Sequence, residues 1–175
     1  MTFKGSSREE ACLPHKTDTT LTGAAGEHLV LSRLLQRGIV AAQAPEGVRK
    51  VDILVNPLDG GSPVFLQVKA RQFGSDGGWH MSKKHEEQSQ SNLFYCFVDF
   101  QPDDPTVYVV PSSVVADALT RDHQVWLKTP GRGGRAHKDH DMRRLRPDMY
   151  SMPEGWILGY KENWALLSVE IDGLS

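Results

Sequence analysis

The chain has 175 residues, 39% hydrophobic and 24% charged, which suits one ordinary globular domain. A formal net charge of −2 excludes a protein that coats nucleic acid by being basic all over, yet leaves room for a local basic patch. Cys12 and Cys96 are too few for a disulfide framework or a cysteine zinc site, no apolar run approaches the ~20 residues that span a bilayer, and the N-terminus lacks the apolar core of a signal peptide, so a reducing cytoplasmic setting and no membrane contact are expected.

Residues 1–21 are rich in Ser, Thr, Lys and Glu without apolar periodicity, and are expected to be a flexible tail ahead of a single domain over 22–175. From Thr22 to Gly38 the pattern is helical, with Thr22 as N-cap and Gly38 as the stop. Val30, Leu31 and Leu34 lie three, four and seven residues beyond Glu27, so this carboxylate falls on, or at the edge of, the face that packs. Ile39, Val40 and Ala41 suggest a short strand.

A hairpin follows. Val51, Ile53 and Val55 alternate with Lys50, Asp52 and Leu54; Asn56, Pro57, Asp59, Gly60, Gly61 and Pro63 carry turn chemistry; a second strand runs on to Arg71. The two-residue period puts Gln67 and Lys69 on one face, with Leu66 and Val68 behind them. Asp52, Gln67 and Lys69 thus sit on strands otherwise rich in core residues, where a polar group without a partner is costly, so a ligand is expected there. A plainer reading makes Asp52 and Lys69 a cross-strand ion pair and Glu27 a first-turn carboxylate favoured by the helix dipole.

Residues 72–81 form a glycine-rich loop bearing Trp79 and His80, which either contact a base or sugar or, for the tryptophan, pin the loop to the core. A short helix capped by Ser82 is expected over 82–92, strands over 93–100 and 106–111, and a helix over 112–120 on the opposite side. Between 128 and 146 stand Lys128, Arg132, Arg135, Lys138, Arg143, Arg144 and Arg146 against Asp139 and Asp141, the one clearly basic segment. His137 and His140 lack a third metal ligand and are read as solvated or phosphate-facing, and Gly131 to Gly134 lacks the Lys-Ser/Thr of a phosphate loop. A strand over 156–160 and a helix around 162–167 finish the domain, with Trp126, Trp156 and Trp164 assigned to the core.

A helix with an inward Glu27, a strand with Asp52, a turn and a strand with Gln67-Val68-Lys69 resemble the PD-(D/E)xK, or restriction-endonuclease-like, nuclease superfamily over residues 22–120. Gln67 stands where that family usually has a carboxylate, a variation known among Mrr-type restriction enzymes and some homing endonucleases. The resemblance implies an α/β fold with a mixed central sheet flanked by helices, and a Mg2+- or Mn2+-dependent deoxyribonuclease. Asp52, Glu27, Gln67 and the Val68 carbonyl would hold the ion, with Lys69 beside its water. Arg71, Trp79, His80, Lys83, Arg132, Arg135, Lys138, Arg143 and Arg144 are the candidate DNA contacts, and cutting both strands at once would call for a homodimer. The alternative is a catalytically inactive module of the same fold that binds nucleic acid or a partner protein.

Overall fold

The computed structural model describes residues 18–45, 47, 51–56, 61–73 and 77–168. The expected tail up to residue 17, Lys50 of the first hairpin strand, Pro57, Asp59 and Gly60 of its turn, residues 74–76 of the glycine-rich loop and residues 169–175 lie outside them.

Helix α1 (Thr19–Gln36) starts earlier than Thr22, because Asp18 is the N-cap and its carboxylate accepts the Thr20 N–H at 2.8 Å. Thr22 is instead buried in the first turns. At the other end Gly38 adopts a φ of +75°, the left-handed conformation that stops a helix without a Cβ penalty. The buried stripe is Thr22, Gly26, Val30 and Leu34, with Glu27 half-buried at its flank.

The main sheet has the order β1-β2-β3-β5-β6, formed by β1 (Ala41–Gln43), β2 (Ile53–Val55), β3 (Val64–Gln72), β5 (Leu93–Phe100) and β6 (Thr106–Pro111). Only β3 and β5 pair in parallel, so the sheet is mixed. β5 reads as an almost unbroken apolar run because it is central and covered on both sides. One side carries α1, over Val30, Leu34, Ile53, Val55, Leu66, Val68, Cys96 and Val98. The other carries α2 (Ser112–Lys128), over Tyr95, Phe97, Val110, Val115, Ala118 and Leu119. The structure is thus α/β, a mixed sheet flanked by helices.

A parallel pair needs a crossover, and residues 73–92 supply it on the α2 side. It contains β4 (Trp79–Ser82) and a 3-10 helix (Lys83–Glu87), and β4 pairs antiparallel with β7 (Met142–Leu145) in a second, two-stranded sheet. Neither strand was expected: four-residue strands next to glycines and arginines show too little alternation. Their tie is tertiary, with Trp79 opposite Leu145 and both fully buried.

The Ser82 cap is present: His85 Nδ1 accepts the Ser82 N–H at 3.0 Å. α2 continues eight residues past Thr120, where apolar periodicity fades but helix-compatible residues and an Arg121–Asp117 pair carry it to Thr129 and Pro130. Residues 156–160 form a 3-10 helix and not a strand, and Trp164–Ser168 is a further 3-10 helix. Trp164 packs in the α1-side core, Trp156 is partly buried, and Trp126 lies outside both cores.

Candidate active site

The candidate site lies where β2 enters the sheet beside β3. β2 and β3 pair with Ile53 opposite Leu66, and residue 52, one step before, bonds through its N–H to the Leu66 carbonyl at 2.8 Å. One carboxylate oxygen of Asp52 accepts the Val68 N–H at 2.7 Å, which fixes the side chain against the strand that carries Gln67 and Lys69. Among the described residues Asp52 and Lys69 make no contact at ion-pair distance, although the Asp52 charge still acts on the Lys69 ammonium.

Leu66, Val68 and Ala70 turn toward α1, while Gln67 lies on the α2-facing side opposite Tyr95 of β5. Gln67 is 8% exposed, yet its Oε1 has no hydrogen-bond partner. A buried amide oxygen left bare costs about 1–3 kcal/mol, so it marks a place where a donor or a cation belongs. Lys69, half-buried two residues on, has its ammonium pKa lowered by burial, against the opposing pull of Asp52.

Glu27 reaches the same place from α1. Gly26 allows it: a Cβ there would come within 2.7 Å of the Ala70 Cβ, so the glycine brings the helix backbone down onto β3. Burial raises the Glu27 carboxyl pKa and the negative charge of Asp52 raises it further, while His28 and Lys69 pull it back. Glu27, Asp52 and Lys69 therefore act on one another electrostatically, although they come from one helix and two strands.

For a divalent cation, the donor set is two carboxylates that repel each other and one unpartnered amide oxygen. These are hard oxygen donors, suited to magnesium or manganese rather than zinc. The donor types suit such an ion, while among the described residues no group of three or more His, Cys, Asp or Glu side chains is arranged to hold a metal. The Val68 N–H bonds Asp52.

The expected DNA contacts divide sharply. Trp79 is 1% exposed and its indole N–H donates to the Val98 carbonyl at 2.9 Å, so it pins the crossover to the core and contacts no base. Arg71 is held by Asp99 at 2.5 Å and lies 4.2 Å over the Trp79 ring, which leaves its side chain only partly exposed. Arg143 is 4% exposed, bonded to Glu86 and to the His140 carbonyl, because strand β7 turns it inward. Lys83 pairs with Asp139 at 3.2 Å, and His80 and Arg144 face each other across β4 and β7. Arg132, Arg135 and Lys138 remain exposed.

His137 is not simply solvated: its ring stacks on Trp126 with centroids 3.9 Å apart, and His123 and His140 flank the same indole. Two features escaped the sequence reading. Gly26 lay unremarked inside the helical pattern, and Lys84 exerts a positive charge on Lys69 from the 3-10 helix. A glycine on the apolar stripe four residues before Val30 was the available signal for the first; nothing local signalled the second.

No protein-family model matches the sequence, and no curated protein matches it. Among solved structures, the bacterial homing endonuclease I-Ssp6803I is similar, with a TM-score of 0.48 and 17% identity, over 86% of this chain and 92% of that one. No helix among the described residues is long and apolar enough to cross a membrane.

Proposed function

We propose that the chain is a metal-dependent nuclease that hydrolyses DNA phosphodiester bonds at Glu27, Asp52, Gln67 and Lys69. The observation that carries this reading is the unpartnered, buried Oε1 of Gln67, two residues along β3 from a Lys69 on which the charges of both Asp52 and Glu27 act. Asp52 and Glu27, with the Gln67 oxygen, would hold Mg2+ or Mn2+, which would neutralise charge on the phosphoryl oxygens and acidify a bound water. Asp52 is kept in place by the Val68 N–H. Lys69 orients the attacking water and steadies charge as the water oxygen bonds to phosphorus and the bond to the leaving sugar oxygen breaks. Arg132, Arg135 and Lys138 would meet phosphates farther along the duplex. A pair of chains would be needed for simultaneous cutting of both strands.

One observation favours a second reading. An amide at position 67 lowers the negative charge of the site, as in a nuclease fold that binds without cutting. The deciding experiment incubates the full chain with supercoiled, linear and branched DNA in magnesium or manganese. Nicking that falls about 10²- to 10⁴-fold in Lys69→Ala while metal binding survives is the expected outcome. Asp52→Ala should lose metal binding by calorimetry. A folded, fully active Lys69→Ala protein overturns the assignment.

A further inference from the structure

Lys84 belongs to no part of the site as the sequence presents it, being separated from Lys69 by the glycine-rich segment and β4. The fold brings it back. The 3-10 helix that carries it is anchored from below by two buried residues and by its own cap. His85 is 3% exposed, with its ring edge-on to Tyr95 at 5.9 Å; Gln88 is 3% exposed and its Oε1 accepts the Tyr95 hydroxyl at 2.6 Å; Ser82 closes the turn onto His85. Tyr95 is the residue of β5 directly opposite Gln67 in the parallel register. The helix is therefore held over the β5 position next to Gln67, with His85 and Gln88 buried and Lys84 exposed.

Lys84 acts electrostatically on Lys69, and among the described residues neither lysine has an ion-pair partner. Its neighbour Lys83, on the same turn, does have one, Asp139. The charges of Asp52 and Glu27 offset the repulsion by Lys84 at Lys69, Lys84 has no such partner among the described residues, and an anion lying between the two lysines turns their interaction favourable.

We propose that Lys84 is a substrate-binding residue of the site, contacting the phosphodiester backbone of DNA beside Lys69 and fixing the strand for attack. This rests on the nuclease reading, and it assigns the crossover a role of its own: the 3-10 helix is the platform that presents a second cation to the phosphate. The contact is a point charge, so it places the backbone without selecting a base.

The test uses the full chain with Lys84→Gln and Lys84→Arg. Duplex DNA binding is measured by anisotropy across a salt series with metal chelated, and cleavage kinetics are measured in magnesium or manganese. Lys84→Gln should flatten the slope of log affinity against log salt by about one and raise KM, with Lys84→Arg restoring both and the melting temperature unchanged in each. A Lys84→Gln slope equal to that of the parent overturns the inference, and does so even if the parent cleaves DNA. If no protein cleaves but the slope still differs by about one, the phosphate contact stands and the catalytic reading is what fails.

Discussion

The residues around Asp52 and the basic segment over 128–146 look equally functional as text, and the structure treats them in opposite ways. Around Asp52, polar groups are buried or half-buried and left without partners: the Gln67 oxygen is bare and Lys69 has no carboxylate at ion-pair distance among the described residues. In the basic segment, much of the charge is spent internally. Arg143 is buried against Glu86, Arg146 lies 3.7 Å from Asp122, and Asp139 gathers His123, Lys83 and Arg143, which hold its carboxyl down at about 2. A charge already satisfied holds the fold together, whereas a buried polar group left unsatisfied points to a ligand. Abundance of charge separates neither case.

This contrast breaks most readily at Arg143. Arg143→Ala leaves Glu86 without its partner beneath the 3-10 helix and should cost about 3–5 kcal/mol in chemical denaturation. A protein that keeps its stability and instead loses salt-dependent DNA binding would return Arg143 to the interface and erase the distinction.

Gly26 tests the scaffold of the site. Gly26→Ala places a methyl 2.7 Å from the Ala70 Cβ, and neither group can swing away, so α1 must lift from β3. Overpacking of this kind should cost about 1–3 kcal/mol by denaturation, with Glu27 displaced as a consequence.

Gln67→Glu sharpens the comparison from the other side. The two side chains are nearly isosteric, so the change chiefly adds negative charge to a buried position. Manganese affinity by calorimetry should rise on the order of tenfold, about 1.4 kcal/mol, and the variant should melt lower than the parent in chelator. Unchanged metal affinity would remove Gln67 from the ligand set.

The smallest stability effect is expected where the basic segment is exposed. Replacing Arg132, Arg135 and Lys138 together by alanine should shift stability by no more than about 0.5 kcal/mol while flattening the salt dependence of DNA binding by about one per lost contact. An identical salt line would make them solvated charges.

Local pattern sufficed for α1, β3, β5 and β6, where length and periodicity are strong: the limits expected for β5 and β6 are the observed ones. It also sufficed for the parity that sets Gln67 apart from Leu66 and Val68, since a strand alternates whatever surrounds it. Local pattern could not reveal β4 and β7, whose pairing joins residues at least sixty positions apart and whose buried faces pack into the α2-side core. Nor could it sort the cations. Whether an arginine faces solvent depends on which acid the fold delivers to it, as Asp99 to Arg71 and Glu86 to Arg143. The sequence by itself determined which residues share a strand face and a helix stripe, because those follow from backbone geometry alone. Only the tertiary structure decided which polar groups were left without partners, and which distant lysine acts on Lys69, because partnership is a property of distance in space and the crossover sets that distance.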